Sequence, residues 1–153
     1  EDLIPLSKEI EILELYMNLE HFRFKDNFDF SVKIDKHINK EDCLVPPMLI
    51  QPFLENAIWH GLRYKKDKGV LDLSFSKKEK FIEVLIRDNG IGRTSSMASK
   101  TINQKKMKST GINNVKNRLE IIQSVFSKNI EITINDLDPK TKIGTIVSIK
   151  IYG

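Results

Sequence analysis

Two periods of apolar and polar residues alternate along this chain, and the points where one gives way to the other mark its elements. From Ser7 to about Phe24, apolar residues at Ile10, Leu13, Met17 and Phe24 recur near helical spacing among good helix formers, which predicts an amphipathic helix. Phe28 to Asp35 alternates apolar and polar, as a half-buried strand does, after a turn at Asp26-Asn27. Pro46 and Pro47 are then expected to open a second helix through MLIQPFLENAIWHGLR that ends near Gly61, because the N–H that proline lacks has no partner in a first helical turn.

Beyond it, Val70 to Ser76 and Phe81 to Asp88 both alternate across the charged KKEK, the pattern of an antiparallel hairpin. Residues 93–110 are polar and without period, a length that points to a mobile lid. From Gly111 to about Phe126 the helical period returns at Ile112, Val115, Leu119, Ile122 and Phe126. Ile130 to Asn135 and Thr145 to Ile151 then form a second hairpin around NDLDPKTKIG. Strands that arrive in antiparallel pairs, with few helices, predict an α+β fold rather than a doubly wound parallel sheet. The expected architecture is a two-layer α/β sandwich: a mixed, mainly antiparallel sheet of about five strands, three main helices and a lid.

Composition narrows the picture. The 153 residues, 40% of them hydrophobic, suffice for one core. The lone Cys43 excludes an internal disulfide framework and a multi-cysteine metal site, and fits a reducing, cytoplasmic setting. No apolar run approaches the roughly 18 residues of a membrane span. Because the chain opens at Glu1 without a leader-like segment, it is expected to be an excised fragment, which leaves room for a membrane sensor upstream. The charge of +4 is modest, but lysines cluster at Lys65, Lys66 and Lys68, at Lys77, Lys78 and Lys80, and at Lys100, Lys105, Lys106 and Lys108. Such clusters are either solvated turns or a field that attracts anions.

Three clusters could carry chemistry, each with a plainer reading beside it. Asn56 and His60 are four apart on the second helix and share a face turned away from Ile50, Leu54, Ala57 and Ile58. An amide oxygen there can hold magnesium and an imidazole can donate to phosphate; the plainer reading is a wet helix face. Asp88-Asn89-Gly90-Ile91-Gly92 ends a strand, where a carboxylate can accept from an exocyclic amine and glycines permit close backbone approach, or where Asn-Gly simply turns the chain. Ser109-Thr110-Gly111 enters the third helix, and Gly144-Thr145 opens the last strand. There, free N–H groups suit phosphate oxygens, or Ser109 or Thr110 merely caps the helix.

In order, VPPMLIQPFLENAIWHG (45–61), RDNGIG (87–92), TGINNVKNRL (110–119) and IGT (143–145) resemble the N, G1, G2 and G3 boxes of the superfamily shared by gyrase, the heat-shock chaperone, histidine kinases and the mismatch-repair ATPases. PPMLIQPFLENAIWHG and NVKNRL are more narrowly similar to the LytS-type branch of sensor histidine kinases, and YMNLEHFRF (16–24) resembles its segment linking the phosphoacceptor helix to the catalytic domain.

The resemblance implies a Bergerat-type ATP-binding fold at 26–153, with a lid at 93–110, behind a linker helix at 1–25 left from the dimerisation region. By the same resemblance Asn56 binds magnesium, His60 faces the phosphates, and Glu55 orients or deprotonates the attacking group. Asp88 recognises the adenine amino group with Thr145 in support. Gly90, Gly92, Ser109 and Gly111 wrap the nucleotide, and Asn114 and Arg118 lie near its phosphates. It further implies a kinase that transfers the γ-phosphoryl group of Mg-ATP to a histidine upstream of residue 1 on its own dimerisation domain, and thence to a response regulator. The intact protein would sit in the inner or plasma membrane. Two positions depart from the pattern: Ser109 stands where the G2 box usually begins with glycine, and Pro52 stands one turn before Asn56, where other branches place a polar residue. His21 belongs to the linker-like helix rather than to the phosphoacceptor site, and His37 is expected on the surface. The alternative is a non-catalytic module of the same fold that only responds to nucleotide. A nucleic-acid role for the lysines would require salt-sensitive binding indifferent to ATP, and no nucleic-acid partner is expected.

Overall fold

The computed structural model describes residues 3–24, 27–62, 65, 67–90, 117, 120, 121, 124, 129–138, 140, 141 and 143–152. A two-residue strand, β1 (Ile4–Pro5), leads into helix α1 (Leu6–Arg23). The helix buries Leu6, Ile10, Leu13 and Met17 along one stripe and leaves Leu15, Leu19 and Phe22 exposed on another. Strand β2 (Phe28–Ile34) follows, then a short β3 (Leu44–Val45) that pairs antiparallel with β1. The sequence gives no sign of this ladder, because two residues are too few to show a period.

Pro46 and Pro47 do not open the second helix. Met48 has a positive φ of 62°, a conformation that cannot belong to a right-handed helix, so Pro46–Met48 forms a turn. Helix α2 (Gln51–Asn56) begins only afterwards, with Pro52 in its first turn. It runs directly into a π-helical turn (Ala57–Gly61) ending at Leu62. Ile50, Leu54, Ala57 and Ile58 are buried, as expected of the core side of this helix.

The main sheet contains β2, β4 (Gly69–Lys77), β5 (Phe81–Asp88), β6 (Ile130–Asp136) and β7 (Thr145–Tyr152), in the spatial order β2-β4-β5-β7-β6. Every neighbouring pair is antiparallel except β2 with β4, which is parallel. A parallel pair needs a crossover, and here the crossover carries α2. Both expected hairpins are present, with the sheet mixed and mainly antiparallel.

One face of the sheet buries Leu71, Leu73 and Phe75 of β4, Val84 and Ile86 of β5, and Val147, Ile149 and Ile151 of β7. These pack with α1 and α2 in a single core. The other face carries polar pairs such as Ser31 with Asp72 (2.5 Å) and Ser148 with Glu83 (2.9 Å). One dry and one wet face is what alternating strands in a two-layer fold produce. Asn117, Glu120, Ile121 and Ser124 are helical, in keeping with the third predicted helix. The rest of that helix and the lid at 93–110 lie outside the described residues.

Candidate functional site

Side chains on a strand alternate faces, so Asp88 belongs to the same face as Val84 and Ile86, and Thr145 to that of Val147, Ile149 and Ile151. Both therefore stand on the core side of the sheet, at its end. Asp88 and Thr145 are direct cross-strand partners, and the same row continues to Leu71 on β4 and Asp136 on β6. Asp88 is only 4% exposed, while Thr145 is half-buried. A carboxylate at such depth requires hydrogen bonds, and one comes from the Gly90 N–H, 2.9 Å from Oδ1.

The chain after Asp88 is tied to strands on both sides. Asn89 accepts the Val70 N–H through Oδ1 (2.7 Å) and donates its own N–H to the Val70 carbonyl (3.2 Å). Gly90 accepts the Gly144 N–H (2.9 Å). Asn89-Gly90 is thus no hairpin turn: β5 pairs with β4 and β7, and the two residues lock its end to both. Gly144 has φ of 78°, and a Cβ there would come within 2.6 Å of the Asp88 carbonyl oxygen. Only glycine lets β7 begin this close to Asp88.

Helix α2 approaches the same end of the sheet. Leu62, at the end of the π turn, packs so tightly on Gly69 that a Cβ at Gly69 would collide with it. Gly69 starts β4 two residues before Leu71, the cross-strand neighbour of Asp88. Asn56 is half-buried, about a turn and a half before Leu62, and among the described residues no side chain holds its amide. Its oxygen is the kind of ligand that magnesium takes alongside phosphate oxygens. Among the described residues no group of three or more His, Cys, Asp and Glu side chains could hold a metal ion. A magnesium ion shared between one amide and phosphates needs no such group. The His60 backbone falls in the π turn, but its side chain lies outside the described set.

Glu55 is exposed and accepts from Gln51 Nε2 at 3.2 Å. Its charge reaches α1: burial above all, then the Glu20 and Glu55 carboxylates, pushes the Tyr16 hydroxyl above its ordinary range, against the lowering effect of a hydrogen bond with Trp59. Phe24 meets Trp59 edge to face at 5.2 Å, and the Arg23 guanidinium lies 5.5 Å from the Trp59 ring centre. The C-terminal part of α1 and Phe24 therefore meet Trp59, on the π turn that continues the helix bearing Glu55 and Asn56.

Gly92, Ser109, Gly111, Asn114 and Arg118 lie outside the described residues. Asp136 joins the Asp88–Thr145 row, a place that motif spacing could not reveal because it depends on the β6–β7 register. His21 sets its ring edge-on to Phe28 (5.4 Å) and Phe30 (5.7 Å), and His37 is exposed. No described helix is long and apolar enough to cross a membrane. An open depression lined by Ser7, Glu11, Glu14 and Asn18 borders the outer side of α1 and includes none of the candidate residues.

Over 116 residues, 73% of this chain, the sequence is 33% identical to the sensor protein LytS of Oceanobacillus iheyensis, covering 20% of that protein. The chain belongs with the LytS-type sensor histidine kinases. A match to the sensor histidine kinase YpdA of Escherichia coli runs wider, 29% identical over 144 residues, or 94% of the chain and 24% of YpdA. The chain thus spans about a fifth to a quarter of the length of the LytS-type relatives it matches. No family model matches it. Among solved structures, a mycobacterial sensor histidine kinase, MprB, is similar over 99% of this chain and 97% of its own at a TM-score of 0.66 and 13% identity. The histidine kinase ThkA in complex with the response regulator TrrA is similar over 98% of this chain and 41% of that one, at a TM-score of 0.60 and 12% identity. These likenesses give the LytS-type chain the fold of a histidine kinase catalytic domain.

Proposed function

We propose that this domain binds Mg-ATP between α2 and the Asp88 end of the sheet, and donates the γ-phosphoryl group to a histidine outside these 153 residues. The observation that carries this reading is the cross-strand pairing of Asp88 and Thr145 on the core face, with Gly144 pressed against the Asp88 carbonyl. A buried carboxylate beside a hydroxyl can accept from an adenine amino group, and the surrounding backbone bonds fix it before the ligand arrives.

In this reading Asp88 selects adenine, Thr145 supports it, and Gly90 keeps the carboxylate oriented. Asn56 holds the magnesium ion, which offsets phosphate charge. Glu55 accepts or orients the proton of the attacking imidazole, whose nitrogen forms the new bond to the γ-phosphorus as the bridging oxygen leaves with ADP. His60, Gly92, Ser109, Gly111, Asn114 and Arg118 complete the phosphate side. Residues 1–25 are the linker to the dimerisation domain, and 93–110 act as the lid of domain 26–153. The intact protein carries its phosphoacceptor helix and a membrane anchor elsewhere, and a response regulator takes the phosphoryl group. The small share of the matched relatives that this chain spans supports that division.

Calorimetric titration with Mg-ATP or an unreactive analogue tests the site, using the native chain, Asp88→Asn and Asn56→Ala. Binding by the native chain that both substitutions weaken is the expected result; equal binding by all three rejects the site. Transfer of labelled phosphate to an added dimerisation domain separates a kinase from a module that only senses nucleotide.

A further inference from the structure

Glu9 is a buried carboxylate with no part in the chemistry above. It lies on the core side of α1, only 1% exposed, yet its bonds are made far along the chain. Oε1 accepts the Met48 N–H at 3.3 Å and Oε2 accepts the Ile50 N–H at 3.5 Å. Ile50 is the cap of α2, which has no capping bond from a side chain of its own, and Met48 is the left-handed residue of the turn before it. The Glu9 carboxylate therefore serves the N–H of Met48 in the turn and that of Ile50 at the start of α2, an end of the helix that favours an anion.

The neighbouring backbone shows that this is a built junction. Leu6 N–H donates to the Cys43 carbonyl (2.7 Å), Ser7 N–H donates to the Lys40 carbonyl (3.1 Å), and β1 pairs with β3. The first turn of α1 is thus stitched to the segment from which α2 emerges. Further along, Tyr16, Arg23 and Phe24 meet Trp59 on the π turn. Between these two attachments lies Asn56.

We propose that Glu9 is a positioning residue for the nucleotide site: by bridging Met48 and Ile50 it fixes the direction in which α2 leaves its turn, and with it the placement of Asn56. This rests on the nucleotide reading above. Helix α1 is then part of the binding apparatus, because a shift of its first turn relative to 44–50 moves the helix that meets the phosphates.

The test compares the native chain with Glu9→Gln, which keeps the shape but loses the charge, and Glu9→Asp, which keeps the charge but is too short to span both N–H groups. Ile151→Ala, a buried substitution at the end of β7 remote from Thr145 and outside α1, is the control for general destabilisation. Amide hydrogen exchange on the nucleotide-free protein reads the junction directly, and Trp59, the single tryptophan, reports the helix by its emission. Both Glu9 variants are expected to speed exchange at Met48 and through Ile50–Asn56 by about tenfold and to raise the Kd for Mg-ATP by about three- to tenfold. Ile151→Ala, compared where all proteins are folded, is expected to leave that Kd within about twofold. Native Kd or native exchange at Met48 and Ile50 in the Glu9 variants overturns the proposal, as does equal weakening by Ile151→Ala. A native chain that ignores Mg-ATP, with exchange still faster in the Glu9 variants, overturns the nucleotide reading and reduces Glu9 to a fold clamp.

Discussion

Asp88 and Thr145 face each other across two antiparallel strands, on the side of the sheet that is otherwise filled with Val84, Ile86, Val147 and Ile149. A carboxylate occupying a core position must contribute something that an apolar residue there would not. Replacing Asp88 with Asn keeps its size and removes its charge, so the fold should persist while Mg-ATP binding weakens by about thirty- to a hundredfold, the scale of a lost charge-assisted hydrogen bond. Calorimetry alongside circular dichroism checks both halves of this expectation.

Gly144→Ala should damage the same end of the sheet by a different route. A Cβ would meet the Asp88 carbonyl oxygen at 2.6 Å in a backbone conformation that alanine rarely adopts. The expected cost is about 2 kcal/mol or more, seen as a lower urea midpoint, together with weaker nucleotide binding. Alanine behaving like glycine in both measurements would contradict the close approach described here.

Asn56→Ala and Glu55→Gln should separate binding from transfer. If Asn56 holds magnesium as proposed, the first should abolish any gain in affinity that magnesium gives to ATP binding. The second should leave nucleotide affinity close to native while slowing phosphoryl transfer to an added dimerisation domain by about a hundredfold, as loss of a general base does. A Glu55→Gln protein that transfers at the native rate would remove Glu55 from the reaction.

Asp35 makes a pH-dependent contribution far from the site. The backbone N–H groups of His37 and Lys77 donate to its carboxylate and hold its pKa below the ordinary 3.8. A depressed folded value means that this stabilisation is fully present above the unfolded pKa and is lost as pH falls through the folded one. Asp35→Ala should therefore lower the urea midpoint near about pH 6, and its difference from the native chain should shrink toward about pH 2. A difference that stays constant over that range would exclude the linkage.

The parts of the fold that were legible in the sequence are those whose physics is local. Leu71, Leu73 and Phe75 alternate with polar neighbours, and β4 follows; Ile10, Leu13 and Met17 repeat at helical spacing, and α1 follows. The start of α2 was misplaced because the decisive facts are tertiary: Met48 is held left-handed beside Glu9, and Pro52 rather than Pro46 or Pro47 lies in the first turn. The parallel pairing of β2 with β4 was hidden likewise, since alternation shows that a strand exists but not its neighbour. At the site, glycine-containing motifs marked Asp88 and Thr145, because close backbone approach leaves a trace in residue type. Asp136 and Glu9 left none: their roles arise from strand register and from packing between distant segments.

The parallel alignment of β2 and β4 has an evolutionary and practical corollary. Two strands that run the same way cannot be joined by a short loop, so the chain must travel back along the molecule, and α2 is the path it takes. The piece that presents Asn56 is also the connection that lets β2, one of the two edge strands, lie parallel to β4. Trimming this segment would fray the border of the sheet, so its length should be guarded by selection even where its side chains vary.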